Sequence, residues 1–157
     1  ITPQVHKSIM DKAAAAAKVV ADQLPPEPVQ EQPKQIQGQL REYQMLGLQW
    51  LVRCFDHGIN AILADEMGLG KTLQTIAFLA YLKYVREVDG PHLVVVPLSV
   101  LPNWVAEFRK FCPDMRVVRL HVNDEGERKR LRKEVLSNPS SFDVAVTTYD
   151  MVHSQHF

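Results

Sequence analysis

The residues of this chain whose types and spacing best suit chemistry form a single octet, Asp65-Glu66-Met67-Gly68-Leu69-Gly70-Lys71-Thr72. A short apolar run, residues 59–64, precedes it, and a pattern typical of a helix, residues 73–85, follows it. This order of strand, glycine loop, Gly-Lys-Thr and helix is the context of a phosphate-binding loop. Glycines let backbone N–H groups turn towards phosphate oxygens, and the helix N-terminus adds partial positive charge. The octet therefore predicts a site for a phosphate chain.

Within the octet, Lys71 and Thr72 are the candidates for catalytic roles. Lys71 would reach the β- and γ-phosphates of a nucleotide, and the Thr72 hydroxyl would bind Mg²⁺, which makes Thr72 the candidate metal ligand. We expect all eight residues to contact the nucleotide: Asp65, Glu66, Met67, Gly68, Leu69, Gly70, Lys71 and Thr72. The strict form of the pattern carries glycine where this chain has Asp65, so a glycine turn with a surface lysine is the alternative interpretation.

The composition describes one ordinary domain without a dominant charge. The chain has 157 residues and a formal net charge of zero, so no global basic field indicates a nucleic-acid partner. Its two cysteines, Cys54 and Cys112, lack metal-site or redox spacing. No apolar run approaches the ~20 residues of a membrane span, so we predict no membrane partner. The chain begins with Ile1 and is interpreted as a piece of a longer protein.

Two domains are expected from the pattern along the chain. Residues 1–37 hold an Ala-rich helical stretch, centred on residues 13–17, and a Pro- and Gln-rich segment, residues 25–37, which we interpret as a loosely attached linker. Residues 38–157 form the folded domain.

In this folded domain, strands and helices alternate. Strands are predicted at residues 60–64, 92–96, 116–122 and 142–147, and helices at 40–52, 72–86, 103–111 and 125–136. This alternation predicts an α/β fold, a doubly wound and mostly parallel sheet with the loop at the carboxyl ends of the strands. We also expect apolar surface at a sheet edge beside the fourth strand.

Several segments match a known family in order and spacing. Residues 39–51, 62–76, 90–97 and 147–151, together with the Asn103-Trp104 and Glu107-Phe108 pairs, resemble motifs of Swi/Snf-like chromatin-remodelling ATPases. The form of the loop in that family carries aspartate at the position of Asp65, which resolves the imperfect match. The resemblance covers residues 38–157 and is greatest for the imitation-switch and Swi/Snf branches.

The resemblance implies part of the first of two RecA-like lobes, related to superfamily-two helicases. Such a protein would hydrolyse ATP with Mg²⁺, translocate on duplex DNA and slide nucleosomes in the nucleus, within a multi-subunit complex. The resemblance also makes Gln44 a candidate for reading the adenine edge, because an amide donates and accepts at once. A solvated helix glutamine is the equal alternative. Loop residues that could bind DNA phosphates are Pro97, Ser99, Asn103, Thr147 and Thr148.

A motor of this class also needs an acidic pair for Mg²⁺ and water, and an arginine finger. Asp124 with Glu125 is better interpreted as helix capping, and Asp150 has no acidic neighbour. We therefore expect both groups downstream of Phe157 and expect no turnover by this stretch alone. Two other functions stay open: a stand-alone phosphate-loop kinase or small ATPase, and a non-enzymatic interaction module built on the Ala-rich helix.

Overall fold

A parallel sheet lies at the centre of the fold. The computed structural model describes residues 29–122, 124–131, 133 and 137–153. The strands are β1 (His92–Val96), β2 (Val117–Leu120) and β3 (Val144–Thr148), and their spatial order is β1-β3-β2. Both outer strands pair with β3 in parallel register, His92 opposite Val144 and Val117 opposite Val144. The predicted α/β parallel class is confirmed.

The last strand in the sequence, β3, is the central strand of this sheet. All five of its residues are buried. Val144 and Val146 face the larger core, whereas Ala145 packs with Leu120 and Phe142 in a second cluster. Since successive side chains of a strand point to opposite faces, the sheet is covered on both sides.

Because β3 is central, the predicted exposed edge beside the fourth strand is wrong. Within the described residues, β1 and β2 form the two edges of the sheet. Leu93 on β1 is 60% exposed, so part of the uncovered apolar surface lies on β1.

The helices follow the order α1 (Glu42–Asp56), α2 (Lys71–Tyr84), α3 (Leu101–Phe111), α4 (Glu125–Leu131) and α5 (Tyr149–His153). Short 3₁₀ turns occupy Leu98–Val100 and Pro139–Ser141. The buried positions of α1 and α3 recur every three or four residues, as expected for helices with one apolar face. One cluster joins Leu48 of α1, Ile76 of α2, Phe108 of α3 and the valines of β3. Three helices therefore share one core with the sheet, and α3 is the one of the three that packs directly on β3.

The strand predicted at residues 60–64 is not formed. The segment between α1 and the octet has no regular secondary structure, and Ile62 is 66% exposed. A strand needs a hydrogen-bonded neighbour, and none of the three described strands lies beside this segment. The apolar run alone could not show whether a pairing partner would be present.

Residues 29–40, which we call the strap, pack on the helices. Val29, Ile36 and Leu40 are buried in the main core, although residues 25–37 were expected to form a loose linker. The Gln32 side chain closes the strap on itself by donating to the Gly38 carbonyl at 2.7 Å and accepting from the Leu40 N–H at 2.7 Å. For residues 29–37, the expectation of a loose linker is therefore wrong.

Two further hydrogen bonds join the strap to the helices. The Gln49 side chain of α1 donates to the Val29 carbonyl at 2.8 Å, and the Gln37 N–H donates to the Phe111 carbonyl of α3 at 2.7 Å. One of these contacts comes from a side-chain amide and the other from a backbone N–H, and the apolar pattern of the sequence revealed neither.

Two helix predictions extend beyond the described part of the chain. The Ala-rich helix at residues 13–17 lies outside it, as does part of the helix expected at residues 125–136. Among the helices of the described residues, none has the length and hydrophobicity that crossing a bilayer requires.

Candidate phosphate-binding site

The octet lies at the end of α2 that is nearer to the carboxyl ends of the strands. Lys83, in the last turn of α2, pairs with Asp143, the residue immediately before β3. A helix of 14 residues is about 20 Å long, so its first turn lies well away from that pair. α2 therefore runs opposite to the strands, and Lys71 points towards the edge where parallel sheets bind ligands.

Two glycines shape the loop before α2. Gly68 and Gly70 have φ angles of 87° and 74°, which L side chains rarely adopt. At Gly70 a β-carbon would also lie 2.6 Å from the Gln44 Nε2 atom. The local sequence Gly-Leu-Gly therefore turns the chain into the helix and leaves the first N–H groups of α2 without intrahelical acceptors.

Lys71 folds back over the loop. Its ammonium group donates to the carbonyl of Asp65 at 2.6 Å and to the carbonyl of Glu66 at 2.7 Å. Both acceptors are neutral, and no carboxylate of the described residues pairs with this lysine. A phosphate chain can compete with carbonyls for an ammonium group, since charge-assisted hydrogen bonds are the stronger ones.

The other octet residues form an open surface. Glu66, Met67 and Gly68 are exposed, with Met67 at 96%, and Thr72 is half-buried in the first turn of α2. The structure brings the eight predicted residues together in one loop and helix start. Their contacts with nucleotide and Mg²⁺ stay predictions.

Gln44 lies in the first turn of α1 and is 6% exposed. Its Nε2 atom donates to the Leu69 carbonyl at 3.2 Å, and its Oε1 atom accepts from the Arg41 N–H at 3.0 Å. The alternative of a solvated helix glutamine is therefore wrong. Its side chain already supports the loop, and the role at the adenine edge stays a prediction.

Among the DNA candidates, Pro97, Ser99 and Asn103 are exposed just beyond the carboxyl end of β1. Ser99 lies in the 3₁₀ turn and Asn103 in the first turn of α3. Backbone and side-chain donors at a helix start suit phosphate oxygens. Asn103 therefore lies in a helix and not in a loop, and the contact of all three residues with DNA stays a prediction.

Thr147 and Thr148 are not loop residues but the last two residues of β3, 0% and 1% exposed. The Thr147 hydroxyl donates to the Leu120 carbonyl at 2.7 Å. The Thr148 hydroxyl lies 3.2 Å from the His121 Nδ1 atom and accepts from the Met151 N–H at 3.4 Å. The placement of these threonines in a loop is wrong, and in this conformation both hydroxyls serve the fold.

Two acidic residues weighed as metal ligands, Asp124 and Asp150, lie at the starts of α4 and α5. The Asp124 carboxylate accepts the Glu127 N–H at 2.9 Å, so Asp124 caps α4 as expected. Asp150 lies exposed in the first turn of α5.

A buried ion cluster at the opposite end of α2 was not anticipated. Asp143, 3% exposed, pairs with Lys83 and with Arg116, whose Nη2 atom is 2.7 Å away, and also accepts the Arg116 N–H at 2.8 Å. Burial raises the pKa of Asp143, but the hydrogen bonds and charges of Arg116 and Lys83 outweigh burial and lower the pKa to about 2. We call these three residues the Asp143 cluster.

A second unanticipated group lies beneath the loop. Gln74 of α2 is fully buried and donates to the Asp65 carboxylate at 3.2 Å, next to Gly47 of α1. The sequence did carry one signal for this group, namely a glutamine on the apolar face of the predicted helix, three residues after Lys71.

The fold and the loop together define a RecA-like α/β lobe that presents a candidate phosphate-binding loop at a helix start. Residues 43–156 match the SNF2-related domain family. The chain belongs to this family.

Similar proteins and structures agree with this membership. The chain is 55% identical over 120 residues to the ISWI chromatin-remodeling complex ATPase CHR17 of Arabidopsis thaliana, covering 76% of this chain and 11% of that protein. It is 48% identical over 115 residues to the ISWI chromatin-remodeling complex ATPase ISW2 of Saccharomyces cerevisiae, covering 73% of this chain and 10% of that protein. It also resembles the Sulfolobus solfataricus SWI2/SNF2 ATPase core in complex with dsDNA, with a TM-score of 0.65 and 39% identity over 76% of this chain and 23% of that one.

Proposed function

We propose that this chain is the ATP-binding part of a DNA-dependent ATPase that translocates on duplex DNA and slides nucleosomes. The observation that carries the proposal is the Lys71 ammonium group at the start of α2, behind a loop shaped by two glycines. Among the described residues, neutral carbonyls alone accept hydrogen bonds from this group. Membership of the SNF2-related family supports ATP as the nucleotide.

Each part of the loop has a role in this proposal. Lys71 binds the β- and γ-phosphates, the backbone N–H groups around Gly68 and Gly70 surround them, and the Thr72 hydroxyl binds Mg²⁺. Mg²⁺ supplies charge neutralisation for the phosphates. Gln44 and the exposed octet residues complete the nucleotide surface.

Duplex DNA is the proposed second partner, at the surface that Pro97, Ser99 and Asn103 form. Phosphate contacts of this kind carry little sequence information and weaken steeply with salt. The similar proteins are named as ATPases of chromatin-remodelling complexes, which supports a nucleosomal substrate, a multi-subunit assembly and a nuclear location.

Steady-state ATP hydrolysis by the intact protein, with and without duplex DNA, tests the proposal. We expect Mg²⁺-dependent turnover that DNA stimulates, and loss of turnover in Lys71→Ala. Lys110→Ala is the matched control, because Lys110 is also a lysine of this lobe but is exposed on α3, where its ammonium group lies over the Phe111 ring. Unchanged hydrolysis in Lys71→Ala, or turnover that is equal with and without duplex DNA, would contradict the proposal.

A further inference from the structure

Gln74 is a fully buried polar side chain in a helix that otherwise buries apolar residues. It is 0% exposed, and the other buried residues of α2 are Ile76, Ala77, Leu79, Ala80 and Leu82. Burying an amide costs free energy unless its polar atoms find partners. The position therefore requires an explanation beyond packing.

One half of the Gln74 amide has a partner and the other half has none. Nε2 donates to the Asp65 Oδ2 atom at 3.2 Å, whereas Oε1 is buried and has no hydrogen-bond partner in the part of the chain that the structure describes. The chemistry determines this orientation of the amide, because the reverse would place the oxygen against a carboxylate. The side chain thus leaves its own oxygen unsatisfied in order to hold Asp65.

Gly47 of α1 makes room for that oxygen. A β-carbon at Gly47 would overlap Gln74 Oε1 and would lie 3.1 Å from Gln74 Cδ. Glycine inside a helix costs about 1 kcal/mol relative to alanine. The glycine at this position is therefore explained by the close approach of Gln74, not by helix formation.

We propose that Gln74, seated against Gly47, is a positioning residue for the phosphate loop. Gln74 holds the Asp65 carboxylate, while the Asp65 carbonyl accepts the Lys71 ammonium group at 2.6 Å. One residue therefore joins the buried amide to the lysine that meets the phosphates. This role rests on the proposed function of the loop.

The two ends of the loop are then held from α1. Gln44 binds the Leu69 carbonyl at the later end, and Gly47 seats Gln74, which binds Asp65 at the earlier end. Fixing both ends keeps the backbone N–H groups in one arrangement before nucleotide arrives, which lowers the ordering cost of binding.

An isosteric variant separates positioning from space filling. Gln74→Met keeps the volume and length of the side chain but cannot donate to Asp65. Gln49→Met is the matched control, because Gln49 is also a helix glutamine whose side-chain amide donates one hydrogen bond, in its case to the backbone carbonyl of Val29 in the strap. A purely structural role predicts that both variants lose stability and keep their nucleotide affinity.

The measurement is equilibrium binding of a fluorescent ATP analogue to the intact protein, with thermal unfolding of each variant alongside. We expect Gln74→Met to weaken binding by roughly tenfold, because misplaced contacts cost this much or more. Gln49→Met should bind as the wild type does. Gly47→Ala should weaken binding like Gln74→Met, and Gly47→Ala with Gln74→Ala should be no weaker than Gln74→Ala alone.

The outcomes distinguish this inference from the proposed function. If Lys71→Ala weakens binding but Gln74→Met binds like the wild type, the positioning role is wrong and the phosphate loop stands. If Gly47→Ala weakens binding equally with and without Gln74, Gly47 does not act through Gln74 and the inference also fails. If Lys71→Ala leaves binding unchanged, the proposed function fails and the positioning role fails with it. Should Gly47→Ala not fold, Gln74→Met against Gln49→Met still decides the question.

Discussion

Two lysines at opposite ends of α2 have opposite surroundings. Lys71, at the first residue of the helix, donates to the neutral carbonyls of Asp65 and Glu66. Lys83, in the last turn, pairs with the buried carboxylate of Asp143. The same side chain on the same helix is thus left with an uncompensated charge at one end and a neutralised charge at the other.

The different surroundings of the two lysines distinguish an end of α2 that can attract an anion from an end that stabilises the fold. A cation held by carbonyls keeps its attraction for an incoming anion, since carbonyls carry only partial charge. A cation held by a buried carboxylate cannot be released without removing part of the charge compensation of that carboxylate, which is costly. We therefore assign the start of α2 to ligand binding and its end to the stability of the lobe.

The strap lies against the last turns of α2, at the end of the helix that we assign to stability. Residues of the strap and of the last turns of α2 line a shared cavity of about 500 Å³, with Val29 and Pro33 on one side and Tyr81 and Tyr84 on the other. Contacts at this end bury apolar side chains, whereas every residue of the octet at the other end is exposed or half-buried.

The largest effect is expected from removing the charge at the start of α2. Lys71→Ala should lower the rate of ATP hydrolysis by the intact protein by roughly 10³-fold, the scale for loss of a preorganised contact to a charged transition state. Thermal unfolding without nucleotide should change little, since only hydrogen bonds to exposed or half-buried carbonyls are lost. A large loss of stability in Lys71→Ala would break the contrast between the two ends.

At the other end, Asp143→Ala should reduce stability by about 3 kcal/mol, because it leaves the part-buried Lys83 without its partner. Denaturant unfolding gives this quantity, and the affinity of the folded variant for ATP should stay within about twofold of the wild type. An affinity that falls together with stability would show that the two ends are coupled.

The strap should behave like the Asp143 cluster. Ile36→Ala removes a side chain that is 5% exposed, so we expect a stability loss of about 2 to 3 kcal/mol. Gln35→Ala, at a half-buried neighbouring position of the strap, is the control and should change stability far less. If Ile36→Ala and the wild-type protein reach the midpoint of unfolding at the same denaturant concentration, the strap does not contribute to the stability of the core.

A smaller effect is expected from acid. The pKa of Asp143 is held at about 2, below its ordinary value near 4, so its ionised form stabilises the fold above pH 4. This contribution, about 2 kcal/mol, should disappear as the pH falls from about 4 to about 2. The stability of Asp143→Asn should lack this part of the pH dependence, and equal acid profiles for both proteins would contradict the assignment.

The features that the sequence could predict depend on residues that are close together along the chain. The octet carries its chemistry in eight consecutive residues, and the alternation of strands and helices follows from short hydrophobic patterns. Both therefore appeared in the structure where they were expected, apart from the segment at residues 60–64. That segment has the composition of a strand, but pairing depends on a neighbour that composition does not reveal.

The remaining features depend on distant partners. Lys83 and Asp143 are 60 positions apart, and Gln49 meets the strap carbonyl of Val29 from 20 positions away. Thr148 seemed a loop residue because the end of β3 could not be placed without knowing that α5 follows at once. Side-chain amides and ion pairs of this kind have no linear signature, so only the tertiary structure shows them.

The strand order also determines when this sheet can form during synthesis. β1 and β2 emerge first from the ribosome, yet each has β3 as its described partner and β3 is made last. Until Thr148 has left the exit tunnel, the segments of β1 and β2 cannot pair with β3, which is the described neighbour of both. Vectorial synthesis thus delays pairing of the described strands until β3 emerges, and the apolar side chains of β1 and β2 stay uncovered during that interval.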